Sequence, residues 1–191
     1  ELLASKNRDG DYGGSLENRT RLVRNVMTRI RSEMPELTLA TRMNAYDGIP
    51  YRGEGKDFVG RPCPHELPLK TAFGTNPFNH LEEDFAEPLE LARWLRDWGV
   101  RLINVSAGNP YENPHVVRPA EFPPINGYQA PEHPLLGVLR HFRLARRIQA
   151  AVPCRTWTMP GGLPMPSAST TTCSTWVTTS NRWWWVPTLP T

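Results

Sequence analysis

Pro88-Leu89-Glu90-Leu91-Ala92-Arg93-Trp94-Leu95-Arg96-Asp97-Trp98-Gly99-Val100-Arg101-Leu102-Ile103-Asn104-Val105 sets a helix directly against a strand. Leu91, Ala92, Leu95 and Trp98 recur three and four positions apart and share one helical face, with Pro88 suited to the first turn. Gly99 stands where a helix closes through a left-handed residue, and Val100 to Val105 continues as an apolar, β-branched run of the kind that forms a buried strand. This stretch decides the fold class because the same order recurs on both sides of it.

Upstream, Leu22, Val23, Val26, Met27, Ile30 and Met34 give residues 16–34 an apolar stripe. Ser15 is placed to cap that helix, and Glu17 lies in the first turn, where the helix dipole favours negative charge. After the break at Pro35, Leu37 to Met43 reads as a strand. Downstream, Leu135, Leu136, Leu139, Phe142, Ala145 and Ile148 mark a third helix, and Ala151-Val152-Pro153 is expected to enter a third strand. Alternation of this kind specifies an α/β fold with a parallel sheet and helical crossovers. Residues 44–83 and 106–133 form connections far longer than the few residues usual between such elements. Both follow strand C-termini, the edge where parallel α/β folds bind ligands, so both are candidate functional loops.

The 191 residues, 39% hydrophobic and 21% charged, suffice for one domain with a folded core, while 20 prolines are about twice the usual share and call for long loops. A net charge of +3 from 22 basic and 19 acidic residues is too small to point to nucleic acid or an anionic membrane. No run approaches the ~18 apolar residues that a membrane-spanning helix needs. Cys63, Cys154 and Cys173 contain no CxxC pair and leave one thiol over in any disulfide scheme, so a reducing, cytoplasmic compartment is expected. The first residue is Glu1, and the chain is read as a piece of a longer protein.

Residues 154–191 change character. They hold two charged residues, Arg155 and Arg182, with ten threonines and five of the seven tryptophans, and show no periodicity. An irregular tail is expected from Cys154 to Thr191. Such a stretch directly after a regular α/β pattern looks like sequence read in a shifted frame, with a natural low-complexity tail as the alternative.

Asp11-Tyr12-Gly13-Gly14-Ser15-Leu16-Glu17-Asn18-Arg19 resembles the Y-G-G-S-x-E-N-R signature of the Old Yellow Enzyme family, the FMN-dependent NADH:flavin oxidoreductases and 2,4-dienoyl-CoA reductases. The residues also have a purely architectural reading, in which two glycines permit a tight turn and Ser15 caps a helix. Further matches follow in order. Glu1-Leu2-Leu3 resembles the end of the family's fourth-strand segment, Ala40 to Asn44 its fifth strand and Leu102 to Gly108 its sixth, while Asn109 to His115 and Pro131 to Leu135 resemble a loop of one bacterial branch. The resemblance covers residues 1–153 and implies a TIM (β/α)8 barrel. A whole barrel typically needs about 250 residues, so this chain is expected to hold a partial one, about strands five to seven with their helices.

The resemblance implies FMN as cofactor, NADH or NADPH as reductant, and a small enone or enoyl substrate whose activated C=C bond accepts the hydride. Arg42 matches the family's fifth-strand arginine and is the candidate cofactor residue, since a permanent guanidinium suits an anionic reduced flavin ring. On its own, an arginine ending a strand is an ordinary surface or ion-pair residue. Tyr111 and His115 lie in the loop after the sixth strand, which in the family approaches flavin and substrate, and either could hydrogen-bond a substrate carbonyl. Lacking the first four strands and the family's usual proton-donor region, the chain by itself is expected not to turn over substrate. Cys63-Pro64-His65 has no second ligand pair for a metal, Gly53-Glu54-Gly55-Lys56 lacks phosphate-loop spacing, and Gly161-Gly162 lies too far from Pro153 for the family's phosphate-binding pair. A different class of reading stays open: a non-catalytic binding or adaptor module that uses the long loops and the aromatic tail.

Overall fold

The computed structural model describes residues 1–120, 127–152, 155–158, 174–179 and 182–187. A 3-10 turn at Leu2–Ala4 leads to helix α1, Leu16–Glu33, whose N-cap Ser15 accepts the Asn18 N–H at 3.3 Å. Strand β1, Leu39–Asn44, follows. The 44–83 connection, expected as a loop, is two hairpins: β2, Tyr51–Glu54, pairs with β3, Val59–Pro62, and β4, Thr75–Asn76, with β5, Asn79–Glu83. Helix α2, Ala86–Asp97, ends through Trp98 into Gly99, whose φ of +97° is the left-handed closure expected there. Strand β6, Val100–Ser106, comes next, then the short α3, Pro114–Val117, and the long α4, Pro134–Ala151.

Strand β7 is Arg155–Thr158, so the third strand begins later than Ala151, which instead closes α4. Thr156 ties it back: its N–H donates to Gln149 Oε1 at 2.9 Å and its hydroxyl to the same atom at 2.8 Å. The main sheet is parallel in the order β1-β6-β7. Parallel pairing requires crossovers, and α2 and α4 supply them on one side of the sheet. This is a mixed α/β arrangement compatible with part of a barrel. The tail is not irregular throughout, because β8, Ser174–Thr179, and β9, Arg182–Pro187, form an antiparallel pair in which Trp176 stands opposite Trp185. β-branched and aromatic residues of that kind favour extended pairing whatever their lack of charge. Gly161-Gly162 and the remaining tail positions lie outside the described residues.

The core joins Met43, Leu91, Leu95, Ile103, Val105, Leu144, Ala145 and Ile148 between sheet and helices. The helical stripes are narrower than their sequence spacing implies. In α1, Val23, Met27 and Ile30 pack on the core while Leu22, Val26 and the following Met34 are exposed. In α4, His141, Leu144, Ala145 and Ile148 are buried, whereas Leu135, Leu136 and Leu139 are more than half exposed. The helix order α1-α2-α4 explains this, since α2 has a long helix on each side while α1 and α4 each have one long-helix neighbour. No described helix is long and apolar enough to cross a membrane.

Candidate functional site

Alternation along the strands sorts side chains to two faces. Met43, Ile103 and Val105 face the helices. Arg42, Asn44, Asn104 and Ser106 fall at the alternate positions, with Arg42 opposite Asn104 and Asn44 opposite Ser106 in the β1–β6 register. The Arg42 side chain is exposed and has no carboxylate partner among the described residues. Asn104 is 8% exposed, and its buried Oδ1 has no hydrogen-bond partner among them. Its register partner on β7 is Trp157, and Asn104 does not line the cleft described below.

Beyond the strands the two long connections are stapled to each other. Ala45 N–H donates to Ser106 O at 2.8 Å, Gly108 N–H to Tyr46 O at 2.6 Å and Tyr51 N–H to Glu112 O at 2.7 Å. Asn113, fully buried, completes the joint: Nδ2 donates to Asp47 O at 2.7 Å and Ile49 O at 2.9 Å, and Oδ1 accepts the Asn109 N–H at 2.6 Å. Gly108 has φ +74°, and a Cβ there would lie 2.7 Å from Asn113 Oδ1, so only glycine fits this approach.

The strand ends and stapled loops border an open cleft of about 800 Å3, lined by Arg42, Asn44, Asp47, Ser106, Tyr111 and Arg118 among others. Asp47 accepts from Phe73 N–H at 2.7 Å and from the Asn44 amide, while burial raises its carboxyl above the ordinary range against those bonds. The cleft thus presents exposed cations beside a fixed acceptor at the C-terminal ends of parallel strands.

Of the three residues singled out from sequence, two meet here. Arg42 and Tyr111 line the same cleft, and Tyr111 is 86% exposed. His115 does not join them. Its position in α3 turns the ring inward, 8% exposed, where Nδ1 lies 2.7 Å from the Tyr128 hydroxyl and the ring packs edge-on against Tyr51 at 4.7 Å. Burial lowers its pKa to about 4, with Glu132 and Arg140 acting in opposite senses. A neutral, inward histidine of this kind supports the loop and does not reach the cleft. Asn104, Asp47 and Asn113 were not singled out from sequence. Their roles depend on strand register and on contacts across more than 60 positions, and no local motif announces them.

The Asp11–Arg19 motif has a structural role. The Arg19 side chain runs inward, donating to Gly14 O at 2.9 Å and to Leu3 O, and a Cβ at Gly13 would lie 2.0 Å from Arg8 O. Its glycines and arginine therefore fold the N-terminal segment back onto the head of α1.

No protein-family profile matches the chain. Over 105 residues, 54% of this chain, it is 43% identical to a protein of Gibberella zeae named NADH:flavin oxidoreductase. The match spans 21% of that protein, about a fifth of its length.

Proposed function

We propose that this chain is the C-terminal part of an FMN-dependent, Old Yellow Enzyme-type NADH oxidoreductase that reduces activated alkenes. The observation that carries this reading is Arg42, near the C-terminal end of a parallel strand and on the wall of the cleft. Its exposed guanidinium, without a carboxylate partner among the described residues, stands on the sheet face away from the helices. The pyrimidine edge of a flavin offers acceptors at N1 and the C2 carbonyl, which a guanidinium fits. The relative's name and the open outer sides of α1 and α4 support the same reading. In a closed barrel each outer helix gains a second neighbour, and Leu22 and Val26 on one side and Leu135, Leu136 and Leu139 on the other are the residues such neighbours would cover.

When bound, FMN supplies the hydride relay from NADH to the alkene. The chain's own work is electrostatic and positional. Arg42 would hold the flavin edge, setting a permanent positive charge against its acceptor atoms. Tyr111, on the exposed rim, donates a hydrogen bond to the carbonyl that activates the alkene, and the stapled loops hold it there. The proton for the other alkene carbon comes from the barrel half outside this sequence, so the chain alone is inactive. Residues 154–191 are proposed to come from a shifted reading frame; the DNA around codon 153, read in all three frames, tests this, with charged helices restored in another frame as the expected result and none restored as the refuting one.

The function is tested by complementation. The chain is co-expressed with the N-terminal part of the Gibberella relative and the purified complex is examined for bound FMN and for NADH-dependent bleaching of its absorbance. A yellow, NADH-reducible complex is expected. A folded, colourless complex that takes up no added FMN refutes the reading and favours a binding module.

A further inference from the structure

Beside the cleft lies a second hollow of about 500 Å3. Its walls come from β2, the β2–β3 turn, the loop between β6 and α3, α3 with Arg118, and Gly127-Tyr128. The two hollows share Pro110, Tyr111, Val117 and Arg118, so one ligand can extend from the first into the second.

The second hollow is built with some care. Gly53 and Gly60 stand opposite each other across β2 and β3. A Cβ at Gly60 would lie 2.3 Å from the Tyr128 ring and one at Gly53 2.9 Å from the Phe58 ring, so each aromatic ring rests against bare backbone. Gly60 N–H donates to Gln129 O at 2.9 Å and Gln129 N–H to Phe58 O at 3.0 Å, which laces the Tyr128 segment to the hairpin. Phe58 holds a φ of +51° in the turn and leaves 52% of its surface in water, so its ring is available to a ligand in the hollow. Tyr51 and Tyr111 complete an aromatic lining.

Charge adds the second half. Arg52 and Arg118 line the hollow, with no acidic residue in its described lining. Neither guanidinium pairs with a carboxylate among the described residues; Arg52 donates only to its neighbour's carbonyl, Tyr51 O, at 2.8 Å. Aromatic walls beside two separate unpaired cations match a planar ring joined to a doubly anionic group.

We infer that this hollow binds the adenosine diphosphate end of the NADH reductant, with Tyr51, Phe58 and Tyr128 around the purine and Arg52 and Arg118 on the diphosphate. The inference rests on the proposed NADH-dependent function, which places the nicotinamide end in the adjoining cleft. Two cations on different loops favour a diphosphate over a single carboxylate, and continuity of the hollows gives the ligand its direction.

The test measures ADP binding to the 191-residue chain by saturation-transfer NMR, with adenosine and benzoate as probes lacking the diphosphate. ADP is expected to bind, adenosine and benzoate to bind at least tenfold more weakly, and the double variant Arg52→Ala/Arg118→Ala to weaken ADP at least tenfold. Both arginines are exposed, so the double variant leaves the fold intact, which a thermal melt checks. In the complemented flavoenzyme the same variant is expected to raise the NADH KM at least tenfold. Arginine-dependent ADP binding in a complex that fails to reduce flavin retains the nucleotide site and removes the oxidoreductase. NADH-dependent flavin reduction with an unchanged KM in the double variant, or benzoate binding as tightly as ADP, overturns the inference.

Discussion

Arg19 and Glu87, 68 positions apart, form an ion pair that locks the head of α1 to the first turn of α2. The Arg19 side chain is 2% exposed and also serves the carbonyls of Leu3 and Gly14, so one planar fork satisfies three acceptors. Removing one partner of such a pair leaves the other charge poorly compensated. Glu87→Ala is expected to lower stability by about 2 to 4 kcal/mol, and Arg19→Lys by a similar amount because an ammonium cannot reach all three acceptors. Chemical denaturation of the two variants checks this; wild-type midpoints would show that the pair is ornamental.

Arg42→Ala in the complemented enzyme is expected to weaken FMN retention and slow flavin reduction by an amount equivalent to about 2 to 4 kcal/mol. Arg42→Lys should recover part of the loss, since charge survives and the fork does not. Equilibrium dialysis of FMN with stopped-flow reduction measures both. Unchanged values would remove Arg42 from the site.

Asn113→Ala deprives Asp47 O and Ile49 O of their donor and Asn109 N–H of its acceptor in a fully buried position. A loss of about 2 to 3 kcal/mol is expected. Asn113→Asp keeps the acceptor but faces two carbonyl oxygens with a carboxylate, and should melt no higher than the alanine variant at neutral pH.

His115 makes stability depend on pH. Burial holds the folded imidazole at about 4 against an ordinary 6.5. The unfolded chain therefore takes up a proton between pH 6.5 and 4 that the folded protein refuses, and stability falls as pH drops through that window, by about 3 kcal/mol in full. His141, also lowered by burial, acts in the same direction. Melting temperatures of wild type and His115→Gln from pH 7 to 4 should converge toward the acid end. Parallel curves would assign the acid loss to other groups.

The main sheet and its helices were legible because each carries its own punctuation. Ser15, Gly99 and the 3-and-4 spacing of Leu91, Ala92 and Leu95 act within a few residues, where sequence periodicity and local energy coincide. Hairpins β2–β3 and β4–β5 were not legible, since their strands are short and alternate exposed with half-buried residues and offer no apolar face. The Gly53-Glu54-Gly55 run was the available signal, and Gly55 does turn there with φ +74°. Arg42 could be found through its register with a motif upstream. His115 could not be placed, because nothing in Asn113-Pro114-His115 tells an inward ring from an outward one; that depends on Tyr51 and Tyr128 arriving from elsewhere.

The joint at Asn113 also governs how the rim can open. Its bonds run from loop to loop, and so do Gly108 to Tyr46 and Tyr51 to Glu112. Neither loop can lift without breaking the bonds of the other, so the two amount to a single breathing unit. Amide exchange at Gly108, Asn109 and Tyr51 should then proceed at one shared opening free energy, and a molecule entering the cleft would meet a rim that is shut or open as a whole.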